Sequence, residues 1–242
     1  MNTAQLLGEP RQGALRSALG GMLTAFYRVT GVANYDRLHL EQVGDTPILI
    51  LPSVFNPRVL RSGAFFAETI AAGRLGEHGQ VLDLGTGSGV CAVFAARHAR
   101  RVIAVDINRE AVRCAGINAA INGLSERIEC RHGDLFAPLA GERFDTIFFN
   151  PPFYTGAPAN DRDAAWRSLD VANRFAAALD AHLAPRGRAY LLLSTSGDAC
   201  PRFLEELAHA GFALSVHAVR QFINERVTIV EATRVETRRA GE

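Results

Sequence analysis

Val81-Leu-Asp-Leu-Gly-Thr-Gly-Ser-Gly89 is the most informative run in this chain of 242 residues. An apolar strand leads directly into a turn with glycines at 85, 87 and 89, and an apolar segment typical of a helix follows. Glycine permits positive φ and a close backbone approach, and a helix N-terminus offers unpaired N–H groups. The GxGxG spacing differs from the GxGxxG of dinucleotide loops. The run therefore predicts a strand, a ligand-binding turn and a helix.

Asp83 lies inside this run, two residues before the first glycine. A carboxylate at that point disfavours a pyrophosphate and suits a ligand that carries a positive group, such as the ammonium of an amino acid. We therefore take Asp83, Gly85, Thr86, Gly87 and Gly89 as candidate cofactor-binding residues.

Strand and helix patterns alternate after residue 80, which predicts a mainly parallel α/β sheet with helices on both faces. Strands are predicted at 81–84, 101–105, 128–132, 144–149 and 189–193. Helices are predicted at 64–75, 90–98, 109–122, 166–183 and 202–210. Two last strands, at 213–219 and 227–232, have a short connection between them and predict an antiparallel edge.

The N-terminal part of the chain follows another pattern. Apolar residues at helical spacing predict a helix over the first ~30 residues. A hairpin follows, with a turn at Gly44-Asp45 between strands at 35–43 and 48–51. We therefore divide the chain into an N-terminal helix and hairpin extension, 1–52, and an α/β domain, 53–242.

Composition restricts the function classes. The chain is 48% hydrophobic and 21% charged, and its net charge of +1 is low for a protein that neutralises a long duplex. All 26 basic residues are arginine, which excludes a Schiff-base or Walker-A lysine. The four cysteines and seven histidines show no metal-ligand spacing. With neither a signal peptide nor an apolar span in the sequence, we expect a cytoplasmic protein without metal or membrane segment.

Two more acids follow the next two predicted strands. Asp106 ends the second strand, 23 residues after Asp83, where an acid accepts hydrogen bonds from ribose hydroxyls. Asp134 follows the third strand and is expected to accept from an adenine amino group, with the Leu135 backbone N–H as a donor. The carboxyl ends of parallel strands form the crevice in which open α/β sheets bind ligands. Asp106, the adjacent Ile107, Asp134 and Leu135 therefore join the candidate cofactor site.

The fourth strand runs into Asn150-Pro151-Pro152-Phe153, followed by Tyr154. The prolines stiffen this segment and leave its carbonyls free to accept. An NH2 group can donate to the Asn150 side-chain oxygen and to the Pro151 carbonyl at once, and Phe153 can stack on a planar amide or base. Two acceptors hold the nitrogen in a defined orientation, and placement alone is worth ~7–11 kcal/mol of a barrier. The tetrapeptide is the candidate catalytic segment, and Phe153 and Tyr154 are candidate substrate-binding residues.

Together, the glycine turn, the strand-end acids and the tetrapeptide resemble the class I S-adenosylmethionine-dependent methyltransferases over about residues 53–233. The resemblance implies a Rossmann-like, doubly wound sheet of seven mostly parallel strands, with the last strand antiparallel. It also implies that S-adenosyl-L-methionine is the cofactor, with its methionine portion on the glycine turn, its ribose on Asp106 and its adenine on Asp134. Asn150 would contact both the cofactor and the methyl acceptor.

The NPPF tetrapeptide is similar to that of the amino-methyltransferase branch, whose acceptors are planar amide or amino nitrogens. Residues 54–57 and 220–227 are similar to the release-factor glutamine methyltransferase (HemK-like) group, which implies a protein glutamine as acceptor. That group usually has tyrosine where this chain has Phe153, and guanine-N2 ribosomal RNA enzymes also use NPPF. An RNA base, at adenine N6 or guanine N2, and a small molecule therefore stay open as acceptors. An accessory subunit and a homodimer stay open as assemblies.

Two hypotheses from other classes compete with this one. A non-catalytic scaffold of the same fold has no need of an amine-binding tetrapeptide. A nicotinamide-dependent oxidoreductase is disfavoured by the glycine spacing and by the absence of a Tyr-x-x-x-Lys pair from the sequence. An N-methyltransferase is the function that the residues favour.

Overall fold

The computed structural model describes residues 6–7, 37–56, 62–73, 75, 79–159, 167–223 and 225–235. Apart from residues 6–7, the predicted N-terminal helix lies outside these ranges. The predicted hairpin is present as β1 (His39–Val43) and β2 (Thr46–Ile50), joined by Gly44-Asp45. The division of the chain at residues 52 and 53 stays a prediction.

The α/β part follows in chain order. It begins with α1 (Ser62–Ala71), β3 (Gln80–Leu84), α2 (Val90–Ala95), β4 (Arg101–Asp106), α3 (Arg109–Ile121) and β5 (Ile128–His132). It continues with a 3-10 turn (Ala137–Leu139), β6 (Phe144–Phe149), and a short pair formed by β7 (Tyr154–Thr155) and β8 (Arg167–Ser168). It ends with α4 (Val171–His182), β9 (Leu183–Ser194), α5 (Cys200–His209), β10 (Phe212–Gln221) and β11 (Arg226–Arg234).

Seven strands form the main sheet in the order β10-β11-β9-β6-β3-β4-β5. Strands β3, β4, β5, β6 and β9 pair in parallel, whereas β11 is antiparallel to both of its neighbours. The predicted seven-stranded, mostly parallel sheet with an antiparallel last strand is confirmed. The last strand does not itself form the edge, because β11 lies between β9 and β10.

Several predicted boundaries were wrong. The helix predicted at 64–75 ends at Ala71, just before Gly73 takes a positive φ of 65°, and the helix predicted at 90–98 ends at Ala95. The last two strands are longer than predicted, because their pairing extends over Phe212–Gln221 and Arg226–Arg234. The helix predicted from 166 begins at Val171, because residues 167–168 pair with β7. The strand predicted at 189–193 extends back to Leu183, because Gly187 passes so close to β6 that an added Cβ would lie 2.6 Å from the Phe144 carbonyl oxygen. The helix predicted from 202 begins at Cys200, and the proline that follows suits a first helical turn.

Helices cover both faces of the sheet, and alternate residues of each strand enter two separate cores. In β3, Val81 contributes to the core beneath the hairpin, α1, α2 and α3, and Leu82 contributes to the core beneath α4 and α5. Both side chains are fully buried. Burial on both faces explains why the central strands are almost wholly apolar, and it leaves the ends of the strands as the place for polar groups.

Asn118 attaches the hairpin to the sheet. It lies on α3, is fully buried, and accepts a 2.7 Å hydrogen bond from the Leu49 N–H. Its Nδ2 donates to the Leu49 carbonyl at 2.7 Å and to the Ser88 carbonyl at 2.8 Å. The same side chain therefore ties β2 to the glycine turn.

We expect Asn118→Ala to lower the free energy of unfolding by about 2–3 kcal/mol, because it leaves buried backbone groups without partners. Asn122→Ala is the matched control and should cost about 0.5–1.5 kcal/mol. Among the described residues, the Asn122 side chain bonds only to the Pro47 and Asn118 carbonyls, at 3.0 and 2.9 Å. Urea unfolding followed by circular dichroism measures both. Equal losses would contradict the role given to Asn118.

Candidate functional site

The glycine turn has the backbone geometry that its sequence predicts. Gly85, Gly87 and Gly89 have φ values of 65°, 55° and 79°. An added Cβ on Gly89 would lie 2.8 Å from the Ala115 Cα, so α2 and α3 approach each other closely there. An added Cβ on Gly87 would meet no atom within 4 Å. The middle of the turn is therefore open.

Asp83 holds this turn by hydrogen bonds to a residue within it and to the helix that follows it. Its Oδ2 accepts hydrogen bonds from the Thr86 hydroxyl at 2.6 Å and from the Ala92 N–H at 3.0 Å. The carboxyl group is buried, and burial raises the pKa of Asp83 from the ordinary value of 3.8 to about 7. Asp83 and Thr86 thus connect the end of β3 to the first turn of α2, and their part in binding a cofactor stays a prediction.

Asp106 and Ile107 lie beside the turn at the end of β4. The Asp106 Oδ2 accepts from the Gly87 N–H at 2.9 Å, and its Oδ1 accepts from the Asn108 N–H at 2.9 Å. Burial raises the pKa of Asp106. The Ile107 side chain is 49% exposed, although its carbonyl contacts the His132 ring at 3.0 Å. An acceptor and an apolar surface therefore stand side by side at this edge.

Asp134 and Leu135 follow β5 at the same edge of the sheet. The Asp134 Oδ2 accepts a 2.6 Å hydrogen bond from Arg174 of α4. Leu135 has a φ of 47°, in the left-handed region that non-glycine residues rarely adopt. Phe136 is buried behind them and stacks on Phe175. The loop is therefore held by α4 as well as by its own strand.

Asn150 lies next to the glycine turn. Strands β3 and β6 pair in parallel with Leu84 opposite Phe149, and an added Cβ on Gly85 would lie 3.5 Å from the Phe149 ring. The Asn150 Oδ1 is buried and has no hydrogen-bond partner among the residues that the structure describes. A buried carbonyl oxygen without a partner is costly, and the position of this one beside the glycine turn makes it a candidate acceptor for a ligand.

The residues after Asn150 form the wall of the site. Pro151 is buried, whereas Pro152, Phe153 and Tyr154 are partly exposed. The Phe153 carbonyl accepts a 3.0 Å hydrogen bond from the Ala199 N–H, and Tyr154 begins the short strand that pairs with β8. The carboxyl ends of β3, β4, β5 and β6 thus bring all the predicted site residues to one edge of the sheet.

Three residues that hold elements of the candidate site in place were not predicted from the sequence. Asn108 caps α3 and donates to the Ser53 carbonyl at 3.0 Å, which joins the segment after β2 to the end of β4. An asparagine just before a helix is a recognisable N-cap. The sequence could therefore have indicated the cap, but not the bond to Ser53. Arg174 and Ala199 had none, because their partners lie 40 and 46 positions away in the chain.

The described residues show neither a metal-binding cluster nor a helix suited to a membrane. Within the ranges that the structure covers, His, Cys, Asp and Glu form no group of three or more that is placed to hold a metal ion. In those same ranges, no helix has the length and apolar character needed to cross a membrane.

The raised pKa of Asp83 makes a prediction about pH. Between about pH 4 and pH 7 the folded protein keeps a proton that the unfolded chain releases, so stability should fall as the pH rises through that window. Asp83→Asn removes this titrating carboxyl group and with it this dependence of stability on pH. The unfolding free energy of the natural protein, relative to this variant, should therefore decline from pH 4 to pH 7 and then level off.

Urea unfolding at a series of pH values measures the difference. Asp45→Asn is the control, because bonds from Thr46 and Arg97 lower the pKa of Asp45 and give a slope of opposite sign at acid pH. Parallel curves for the natural protein and Asp83→Asn would contradict the prediction.

Comparison with known proteins agrees with this geometry. The methyltransferase small domain model matches residues 45–210. Ribosomal RNA small subunit methyltransferase C of Alcanivorax borkumensis is 35% identical over 152 residues, 62% of this chain and 43% of that protein. Release factor glutamine methyltransferase of Gloeobacter violaceus is 28% identical over 218 residues, 84% of this chain and 72% of that protein.

A solved methyltransferase structure has a similar fold. The 16S rRNA N2 G1207 methyltransferase of T. thermophilus, in complex with AdoMet and guanosine, superposes with a TM-score of 0.60 at 25% identity, over 82% of this chain and 50% of that one. This chain spans about half the length of that protein and of the Alcanivorax relative. Because the family model covers more than half of the residues, the chain belongs to the methyltransferase small domain family.

Proposed function

We propose that this chain is an S-adenosyl-L-methionine-dependent N-methyltransferase that acts on a planar amide or amino nitrogen. The observation that carries the proposal is the buried Asn150 Oδ1, an acceptor beside the glycine turn that no described residue uses. A scaffold or a hydride-transfer enzyme has no use for an acceptor of N–H groups at this point.

The residues of this edge fit the cofactor. The open turn at Gly87 leaves room for the methionine portion. The Asp106 oxygens accept the Gly87 and Asn108 N–H groups, and a carboxylate has about four lone pairs, so acceptor capacity is left for the ribose hydroxyls. The exposed Ile107 side chain offers an apolar surface to the adenine, and Asp134 offers an acceptor to its amino group. When bound, S-adenosyl-L-methionine supplies an electrophilic methyl group on a sulfonium sulfur.

The role of the chain is then to place the nitrogen. The Asn150 Oδ1 and the Pro151 carbonyl accept the two N–H bonds of the acceptor, which fixes the direction of the nitrogen lone pair. Both oxygens also stabilise positive charge as it develops on that nitrogen. Phe153 covers the flat face of the acceptor, and Tyr154 borders the same opening.

Protein glutamine is the acceptor that we favour. The release factor glutamine methyltransferase match spans the larger share of both chains, and a carboxamide presents the two N–H bonds that this site would hold. Guanine N2 in RNA is the second candidate, supported by Phe153 and by the likeness to the G1207 enzyme. Adenine N6 and a small molecule have no further observation in their favour.

Two other features belong to the same proposal. We place the protein in the cytoplasm, which agrees with its four cysteines being free thiols. A homodimer and a complex with an accessory subunit stay open as assemblies. Light scattering of the purified chain detects a homodimer, and copurification from a lysate detects an accessory subunit.

Asn150→Ala should lower kcat by roughly 10²–10³-fold, the loss typical of removing one group that stabilises transition-state charge. Affinity for S-adenosylhomocysteine should change far less, because the acceptor is the main partner of the Asn150 Oδ1. Asn150→Asp should recover part of the loss, since a carboxylate also accepts N–H bonds.

Asn173→Ala is the matched control, because the Asn173 Oδ1 on α4 is also buried with no partner in the described part of the chain, whereas its Nδ2 bonds to Glu206 of α5 at 2.6 Å. Steady-state kinetics and isothermal titration measure turnover and affinity. If Asn150→Ala reduced both by the same factor, the residue would not have the proposed role.

Labelled methyl transfer identifies the acceptor. Release factor and small-subunit ribosomal RNA are incubated with the purified chain and labelled S-adenosyl-L-methionine, at low and high salt. We expect label in a glutamine side chain, detected by mass spectrometry of peptides, with little salt dependence. Label in guanine with a steep salt dependence would favour the RNA acceptor instead. No transfer to any fraction of a whole lysate, by protein that binds the cofactor, would contradict the proposal.

A further inference from the structure

Arg174 stands between two carboxylates at the edge of the sheet. Its Nη1 lies 2.6 Å from the Asp134 Oδ2, and its Nε lies 3.1 Å from the Asp170 Oδ2. Asp134 follows β5, and Asp170 precedes α4. The arginine therefore joins the loop that carries the predicted adenine acceptor to the start of the helix that follows the substrate segment.

Only one oxygen of Asp134 is used in this contact. Arg174 occupies Oδ2, and the described part of the chain provides no hydrogen-bond donor to Oδ1. Because a guanidinium is planar and its N–H directions are fixed, it restricts the rotation of a carboxylate that it binds. Oδ1 is therefore an acceptor that Arg174 leaves unused.

The backbone of the same loop is also held in place. Phe136 lies 5.7 Å from the Phe175 ring and 4.6 Å from the His182 ring, in stacked arrangements. The Asp134 carbonyl accepts from the Ala137 N–H at 3.0 Å. With the backbone held by these contacts, the main freedom left to Asp134 is the torsion of its side chain, and the bond from Arg174 restricts that torsion.

Stability alone gives a weak reason for this ion pair. The two side chains are 44% and 42% exposed, and exposed pairs contribute little to folding. Orientation of a ligand-binding carboxylate is a stronger reason, because a small change in the direction of an acceptor is enough to lose a hydrogen bond.

We propose that Arg174 is a positioning residue for the cofactor, which holds Asp134 so that Oδ1 accepts from the exocyclic amino group of adenine. The proposal rests on the proposed function, and it adds the residue that makes the site selective for adenine. Hypoxanthine, which has an oxygen in place of that amino group, would face Oδ1 with an acceptor and be rejected.

Isothermal titration tests the proposal with two ligands, S-adenosylhomocysteine and S-inosylhomocysteine. The natural protein should bind the adenosyl compound more tightly. Arg174→Ala should lose on the order of tenfold in affinity for that compound and much less for the inosyl compound, so that the preference shrinks. Arg174→Lys, which keeps the charge without the planar fork, should lie between the two.

Two further variants separate positioning from other roles. Arg188→Ala removes an arginine that pairs with Glu231 at 2.7 Å on strands β9 and β11, and it should leave both affinities unchanged. In an Asp134→Ala background, Arg174→Ala should have no additional effect, because Arg174 acts through Asp134. Thermal unfolding of each variant verifies that the protein is folded.

Several results would overturn the proposal. For Arg174→Ala, these are an equal loss of affinity for both ligands, an unchanged preference for the adenosyl compound, and tighter binding of the adenosyl compound. A fourth is an additional loss of affinity when Arg174→Ala is added to Asp134→Ala. The third result would mean that Arg174 competes with adenine for Asp134. If the folded natural protein bound neither compound, the proposed function itself would fail, whereas tight binding with no effect of Arg174 would remove this inference alone.

Discussion

The parallel pairing of β6 with β3 sets the position of every other part of the site. With Phe149 opposite Leu84, the glycine turn and the Asn-Pro-Pro-Phe segment leave the sheet at the same level and on adjacent strands. A shift of one residue in this register would turn the apolar residues of β6 to the opposite core. The register is therefore fixed by packing, and the site inherits its geometry from the two cores.

Polar groups at this edge support the backbone before any ligand binds. Asp83 bonds to Thr86 and to the N–H of Ala92, and Asp106 bonds to the N–H of Gly87. Burial raises the pKa of both acids, so holding them in place costs folding free energy. As a result the glycine turn is already formed before a ligand binds, which lowers the entropy lost on binding.

Features that depend on residues close together in the sequence could be predicted, whereas contacts between distant residues could not. Positive φ at Gly85, Gly87 and Gly89 followed from residue type, and the strand-end position of Asp106 followed from the alternation of strands and helices. The pairing of Asp134 with Arg174 joins residues 40 positions apart, and no periodicity marks it. The start of α4 at Val171 was missed for the same reason, because it depends on the pairing of β8 with β7.

The Asn-Pro-Pro-Phe segment is held by more distant parts of the chain than the glycine turn is. The Phe153 carbonyl is held by the Ala199 N–H, and an added Cβ on Gly197 would lie 2.5 Å from that same carbonyl. The turn that carries these residues is fastened in turn by Glu225, which accepts from the hydroxyls of Ser194 and Ser196. Changes between β10 and β11 therefore reach the Asn-Pro-Pro-Phe segment without touching the glycine turn.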